Sequence, residues 1–465
     1  MKYAYLILLF SSLLIHRVGA QDTLNYNAFI TNIKNNYPII LKANNFKEIG
    51  DFTYKAAKGG FDPVVSTSFD NKFYSGKNYY SLLDAKIRKP LFASQFISAG
   101  YQYAQGAFVN PEEQTSVNGM PFLGMEAALL QGLTFDMRRA DLLKAKNYKA
   151  YFESESKLVT NEVLYTASIS FIDWIYSCKE LSLYNYFTFL ALQRFNGIKS
   201  LSDVGEYAGI DTVEAAILYQ SRYMDMQSVQ IENQKMVNSI QTFNWINPEQ
   251  SSDLSRKIFL VDSLEYYFEK SKSMLSLYLL DNDTKNPVIE KYEAFQKVLE
   301  IERRYRGELI KPKLDVSYNF LAGDPISGPM AFNTNNYKWG LNLSFPMFLR
   351  TSRNEYKISK LNAMNNKLDL NTKSNELQFK LNVIKRNIEI VIDQLLMAEK
   401  NVTFSKLLLD SERIKFEAGE SSLFLLNTRE SKWMESELKL ADYKTKFIKF
   451  IFELVYVSGS MNYTM

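Results

Sequence analysis

Two different hydrophobic periods alternate in blocks along this chain. Leu314, Val316, Tyr318 and Phe320 alternate with Asp315, Ser317 and Asn319, and Tyr337, Trp339, Leu341, Leu343 and Phe345 alternate with Lys338, Gly340, Asn342 and Ser344. A period of two sends successive side chains to opposite faces, so each block predicts a strand with one apolar and one wet face. Residues 322–336 between them are rich in Gly, Pro and Asn and predict an exposed hairpin loop. Nearer the start, Val65, Thr67 and Phe69 alternate with Ser66, Ser68 and Asp70, and Ile97, Ala99, Tyr101 and Tyr103 with Ser98, Gly100 and Gln102. Weaker versions run through Leu83, Ala85 and Ile87 and through Leu123, Met125, Ala127 and Leu129. Four candidate strands thus precede Phe135 and two precede Phe348. The strands alone suit a membrane β-barrel and a soluble β-sandwich equally.

The other period is helical. Between Phe348 and Gly419 there is neither Pro nor Gly, and Leu377, Leu381, Ile384, Ile388, Val391, Leu395, Ala398 and Val402 recur at spacings of four and three. This is a coiled-coil seam over several heptads; at ~1.5 Å per residue such an arm reaches roughly 100 Å. A matching arm runs from Phe135 to Gly205, with a broader stripe through Leu164, Ile169, Phe171, Ile172 and Ile175. After each Gly-Glu pair a helix returns, over 210–245 and 423–456. Such hairpins leave apolar stripes that one copy cannot cover, so oligomerisation is expected.

The two halves therefore share one layout. Tyr37-Pro38-Ile39-Ile40 and Asn286-Pro287-Val288-Ile289 each open a helical run that ends at Pro63 and Pro312, an offset of 249 at both prolines. Phe135 and Phe348 close the strand blocks, and Gly205-Glu206-Tyr207-Ala208 and Gly419-Glu420-Ser421-Ser422 interrupt the long helices, at offsets of 213 and 214. The shift means the first half carries 36 more residues between proline and strand end, roughly 75–119, the size of one long hairpin. The predicted organisation is a signal segment over 1–20 and a first repeat over 21–247, with strands about 64–135 and a helical hairpin about 136–247 turning near 205–209. A connector over 248–286 follows, with a short helix over 264–280. A second repeat occupies 287–465, with strands about 313–348 and a helical hairpin about 349–457 turning near 419–422.

Composition narrows the class. Lys2, the apolar stretch 3–14 and Val18-Gly19-Ala20 read as a secretory signal cleaved before Gln21; no Cys follows that site, so no lipid anchor is predicted. No later apolar run approaches the ~20 residues a spanning helix needs, which leaves a β-barrel as the only route through a bilayer. Aromatics make up 14% of the chain, many of them Tyr and Phe in the strand blocks, as in rings at a membrane–water boundary. The one His, His16, lies in the signal and the one Cys is Cys178, in an apolar stretch that suits a structural thiol. His-based triads and ordinary zinc sites are thereby removed, and no catalytic residue, cofactor or metal ligand is predicted. The formal charge of +4, or +2 without Lys2 and Arg17, points to no nucleic acid.

Candidate functional residues gather where the helices reverse. A reversal within a few residues needs a positive φ, so Gly205 and Gly419, with Gly209 nearby, are expected to shape the turns. Acids crowd both turns: Asp203, Glu206, Asp211 and Glu214, then Asp410, Glu412, Glu417 and Glu420. No pocket-forming sequence accompanies them, so acid–base catalysis is not predicted. Most acids on a coiled coil are simply solvated; the functional alternative is that symmetry turns an inward acid such as Asp203, Asp211, Asp410 or Glu417 into a ring that selects cations.

In this order the motifs resemble the TolC-type outer-membrane efflux proteins, over nearly all of the mature chain. The carriers are Pro312-Lys313-Leu314 before a strand, Ser344-Phe345-Pro346-Met347-Phe348 before the long arm, Phe416-Glu417-Ala418-Gly419-Glu420 at a tip, and Gly209-Ile210-Asp211-Thr212-Val213-Glu214-Ala215 just after the other. The resemblance implies an α+β membrane protein built from a duplicated strand-hairpin and helical-hairpin unit. It implies a homotrimer whose strands form one outer-membrane β-barrel continuous with a periplasmic α-helical barrel. It implies that Gly205, Glu206, Gly209, Gly419 and Glu420 face a periplasmic adaptor (membrane fusion) protein linked to an inner-membrane pump, with outer-membrane lipid around the strands. Drugs, metal ions and secreted polypeptides all use this scaffold. The departure is the additional 36 residues, which include Lys89-Pro90-Leu91-Phe92, a second strand-like ending. With them in the wall each copy gives six strands and a trimer eighteen; otherwise the family's four and twelve remain. The hairpin is expected to be part of, or packed on, the β-region, because Tyr101 and Tyr103 continue an apolar face and 109–119 reads as an exposed loop. Competing readings are a periplasmic coiled-coil spacer or adhesin stalk, and a passive porin, which would lack the long arms.

Overall fold

The computed structural model describes residues 22–92, 94–245, 258–260, 262–280, 286–323, 332–459 and 461. The predicted signal segment, most of the 322–336 loop and parts of the connector, residues 248–257 and 281–285, lie outside the described residues. In chain order the elements are β1 (Asp22–Leu24), α1 (Tyr26–Asn36), α2 (Pro38–Gly59), β2 (Val64–Tyr74), β3 (Lys77–Pro90), β4 (Gln95–Gln105), β5 (Met120–Ala128), α3 (Met137–Asp203), α4 (Gly209–Gln241), β6 (Ile258–Leu260), α5 (Leu264–Leu280), α6 (Pro287–Glu308), β7 (Lys313–Ala322), β8 (Phe332–Ser344), α7 (Arg350–Glu417) and α8 (Leu423–Ser458). The chain divides into two compact units, one of residues up to 43, 158–286 and 376 onward, the other of 44–157 and 287–375, so each draws on both halves of the sequence.

The second unit holds one six-stranded sheet in the order β2-β3-β4-β5-β7-β8, every neighbour antiparallel. The additional residues of the first half supply β3 and β4, which sit inside the sheet: Ile97 lies opposite both Lys89 and Met125. This places the hairpin within the β-region, and of the two strand counts that the sequence leaves open the sheet has six. The last strand starts earlier than its alternation suggested, at Phe332 rather than Tyr337. Below the sheet, α3, α6 and α7 are tied by ions: Lys144 bridges Asp141 and Glu302 at 2.9 Å each, and Arg306 bridges Glu302 at 2.6 Å and Glu355 at 2.5 Å. Asn366 donates to the carbonyl of Tyr292 and to Gln296, joining α7 to α6.

The first unit has a helical core. Phe171, Ile172, Trp174 and Ile175 from α3, Ile384, Ile388, Val391 and Leu395 from α7, and Ile448, Ile451, Phe452 and Val455 from α8 are all buried together. Burying each such side chain contributes ~1.5–3 kcal/mol. The predicted seam is the buried face of α7, with Leu377 and Leu381 partly covered. Helix α5 packs on α8 through Leu264, Tyr267 and Phe268. Unforeseen from the sequence are α1, whose Tyr26, Phe29, Ile30 and Ile33 join this core, and the parallel pairing of β1 with β6. Asn25 caps α1 by accepting from the Ala28 amide at 2.8 Å. Cys178 is half-buried, burial pushes its thiol up, and Asn233 donates to its sulfur at 3.4 Å, which fits a structural role.

Candidate functional site: the helical tips and the two-faced sheet

Both long helices end the same way. Gly205 and Gly419 have φ of 81° and 75°. The amide of Gly205 donates to the Ser202 carbonyl and that of Glu206 to Leu201, both at 3.0 Å; Gly419 donates to Phe416 at 3.0 Å and Glu420 to Lys415 at 2.8 Å. These are paired Schellman caps, which satisfy carbonyls that a helix end otherwise leaves free. Gly209 differs from the other two, because it opens α4 and has no positive φ. The returning helices start unequally: Ser422 caps α8 by accepting from the Leu425 amide, whereas Ala208 has no side chain to cap α4, and Asp211 in the first turn offers its charge to the helix dipole.

The two turns form one tip. Ile198, Ala215 and Leu423 are buried together against Phe195 and Phe416, and the Tyr207 ring lies 6.1 Å from that of Phe416. Just behind is a polar knot: Arg194 pairs with Glu430 and donates to Asn427 at 2.7 Å, while Asn427 donates to Glu214 at 3.2 Å. Glu430 is only 1% exposed. A charge so buried must be paired, because desolvation disfavours it. The sequence pattern marks Glu214 only as one of the tip acids and does not mark Arg194, Asn427 or Glu430. The available signal was that Asn427 and Glu430 occupy seam positions of α8 between Leu423 and Met434.

The other predicted acids have separate surroundings. Asp203, Glu206, Glu417 and Glu420 are exposed, Asp211 is half-buried, and Asp410 is half-exposed and paired with Lys406 at 3.1 Å, the ordinary pattern of a solvated helix face. Glu412 accepts from Ser421 at 2.6 Å and faces Arg429; the Ser421 hydrogen bond, then Arg429, holds its carboxyl below the usual glutamate range. Around the tip Val204, Ile210, Ile414 and Phe424 present apolar side chains to solvent. Isolated exposed apolar groups need no explanation, but here four gather at one helical end.

The sheet has two unlike faces. On one, Val65, Ile87, Ala99, Leu123, Phe320 and Tyr337 lie in a single cross-strand row, with Phe69, Leu83 and Tyr103 in another and Met125, Tyr318 and Trp339 in a third. The Tyr318 and Tyr337 rings stack 5.6 Å apart. Phe69, Met125, Trp339, Leu341 and Leu343 are exposed. The opposite face carries Ser66, Asp84, Lys86, Arg88, Gln102, Glu126, Asp315, Ser317 and Asn319, with Arg88 paired to Glu126. The strand glycines Gly100, Gly124 and Gly340 all lie on this polar face. A Cβ on Gly100 would stand 2.6 Å from the Phe122 ring, one on Gly124 2.5 Å from Ser98 Oγ and closer still to Asn319, and one on Gly340 3.2 Å from Ser317. An apolar outer face and a polar inner face are what a membrane barrel wall requires. No helix among the described residues is long and apolar enough to cross a membrane.

The fold is that of the TolC-type outer-membrane channels. The CmeC outer membrane channel of Campylobacter jejuni matches at TM-score 0.62 and 10% identity, covering 93% of this chain and 85% of that one. The outer membrane protein VceC of Vibrio cholerae matches at 0.62 and 10%, covering 93% and 96%, and the MtrE outer membrane channel of Neisseria gonorrhoeae, in its open state, at 0.63 and 12%, covering 93% and 88%. No protein-family model and no curated protein matches the sequence.

Proposed function

We propose that this protein is an outer-membrane channel that extends into the periplasm, the exit duct of a tripartite efflux or type I secretion system. The observation that carries the reading is the two-faced sheet, which occurs in one chain with duplicated helical turns closed into a single tip. The sheet supplies the membrane wall, and the tip, with its exposed Val204, Ile210, Ile414 and Phe424, supplies the surface for a periplasmic adaptor joined to an inner-membrane pump. Gly205, Glu206, Gly209, Gly419 and Glu420 belong to that surface; Asp203, Asp211 and Glu417 are the candidate pore acids, and Asp410 is a weaker one because Lys406 neutralises it. A homotrimer is the assembly. Its support is a second stripe on α7, Val383, Ile390, Met397 and Phe404, spaced by seven and exposed in the single chain.

The mechanism is passive. Substrate delivered by the pump enters at the tip and leaves through the polar face of the strands, with no chemical step and no cofactor. A spacer or adhesin stalk would have no use for an apolar outer sheet face. The test is fractionation with mass measurement in detergent, followed by an export assay in a deletion strain. Recovery from the outer membrane as three copies, with loss of export on deletion, is the expected result; a soluble periplasmic monomer would refute it.

A further inference from the structure

Just below the sheet the two sides of the helical layer differ in charge, and α3 shows which side is which. Arg138, Asp141 and Ala145 follow one another three and four residues apart and share one stripe, and the Arg138 guanidinium lies 4.3 Å from the centre of the Phe96 ring. Phe96 stands opposite Glu126, on the polar face, so this stripe belongs to the inner side. Its charges cancel, because Lys144 and Arg306 take up Asp141, Glu302 and Glu355. Arg139, Leu143 and Asn147 form the other stripe, and Arg139 turns to the exposed Phe92, 4.7 Å from the centre of its ring. That stripe lies under the apolar face.

On this outer side α3, α6 and α7 surround an open hollow of 760 Å³. Its floor is largely apolar, made by Phe135, Leu143, Ile301 and Tyr356, and its rim is basic, made by Lys297, Arg303 and Arg304. The Arg304 guanidinium rests 4.4 Å from the centre of the Phe135 ring. Arg353, exposed, precedes Tyr356 by one turn of α7. Arg139, Lys297, Arg303, Arg304 and Arg353 have no acid partner among the described residues. Glu308 is held by Lys311 at 2.8 Å, which leaves Glu300 as the acid of the rim. Neighbouring cations repel one another, and Arg350 and Arg353 oppose the dipole at the start of α7, where no acid offsets them, so the rim does not serve the helices.

We infer that this hollow binds the headgroup of an anionic glycerophospholipid from the periplasmic leaflet of the outer membrane. The inference rests on the channel reading above, which makes the apolar face the lipid face. Leu129 and Leu314 pair at the base of that face, and the chain reaches the hollow from them within one short connection at Phe135 and at Glu308. Arg303 and Arg304 stand about one helical turn, ~6–8 Å, below the end of α6, of the order of one headgroup layer. Acyl chains lie along the apolar face, and the phosphate sits between the two guanidiniums, whose forked N–H donors match its oxygens. A zwitterionic headgroup would bring its own ammonium among these cations, so the site favours phosphatidylglycerol over phosphatidylethanolamine. A lipid held there fixes the depth of the wall in the membrane.

The experiment places the unaltered full chain in nanodiscs of palmitoyl-oleoyl-phosphatidylethanolamine, alone or mixed equally with the corresponding phosphatidylglycerol, and maps arginine modification by phenylglyoxal with mass spectrometry. Phosphatidylglycerol is expected to slow modification of Arg303 and Arg304 several-fold and to leave Arg413, exposed before the second turn, unchanged. Equal modification in both bilayers would overturn the inference and leave the channel reading intact. Equal protection by inorganic phosphate in the phosphatidylethanolamine nanodiscs would show a site for a free anion and overturn it too. A chain that does not enter lipid would overturn both readings. The second measurement is native mass spectrometry of delipidated protein offered both lipids in equal amount. Preference for phosphatidylglycerol should fall about fivefold for each of Arg303→Gln and Arg304→Gln, while Lys380→Gln, exposed further down α7, retains it. A folded double variant that keeps the full preference would refute the assignment.

Discussion

Arg194 holds together the most exposed-to-failure part of the tip, and its replacement by Met gives a quantitative test. The methylene stem and the packing are retained, while Glu430, 1% exposed, loses its counter-ion and Asn427 loses a donor at 2.7 Å. Breaking a buried pair from one side costs ~3–5 kcal/mol, because the remaining charge is left uncompensated. At ~1.4 kcal/mol per factor of ten, opening of the tip becomes roughly two to three and a half orders of magnitude more frequent. The assay is native-state amide exchange by mass spectrometry on the detergent-solubilised protein, read over residues 190–198 and 423–434, with 448–455 in the deep core as an internal control. Arg194→Met with Glu430→Leu should recover most of the lost protection, since removing both charges leaves nothing unpaired. If the single variant exchanges like the parent, or the double variant is as loose as the single, the knot does not close the tip.

The remaining tests address the caps, the wall and pH. Gly205→Val and Gly419→Val meet open space, so only backbone strain opposes them, ~1–3 kcal/mol at a positive φ; the expected result is faster exchange at the turn and impaired export with trimer and barrel intact, and normal export by both would remove these glycines from the working surface. Gly100→Val drives a side chain into the Phe122 ring and the Ala85 backbone carbonyl, 2.7 Å from its Cβ, and should abolish the heat-modifiable folded band on gels, whereas Gly340→Ala, 3.2 Å from one movable hydroxyl, should retain it. Glu412 is held below its ordinary value near 4.5 by Ser421 and Arg429, so its contribution to the second turn is complete above that value and is lost as pH falls through its lowered folded value. Amide exchange around 412–425 should therefore be corrected for intrinsic rate and found constant from about pH 5 upward, then rise in acid; a rise between about pH 5 and 8 would contradict this origin.

Much of the architecture is legible in the residues because periodicity is a local property. Alternation at Leu314 to Phe320 and at Tyr337 to Leu343 names two strands and their faces, and the Leu377 to Val402 spacing names the buried stripe of α7, with no knowledge of any partner. The turns at Gly205 and Gly419 are equally local, since only the backbone conformation of one residue is at stake. Helix α1 escaped because its apolar face is four residues long and ends at Pro38, too short to stand out from a polar surrounding. Strands β1 and β6, three residues each, carry no period at all.

What tertiary structure alone decided is which distant segment meets which. The alternation of Ile97 to Tyr103 says that a strand exists, but its place between β3 and β5, rather than beside the sheet, depends on pairing free energies summed over Lys89, Met125 and their neighbours. The polar residues Asn427 and Glu430 look like defects in an apolar seam until Arg194, 236 positions away from Glu430 in the chain, is folded against them. A sequence states what each residue can satisfy or must hide; only the folded chain settles where the counterpart comes from, because that choice is made by the competition among all segments at once.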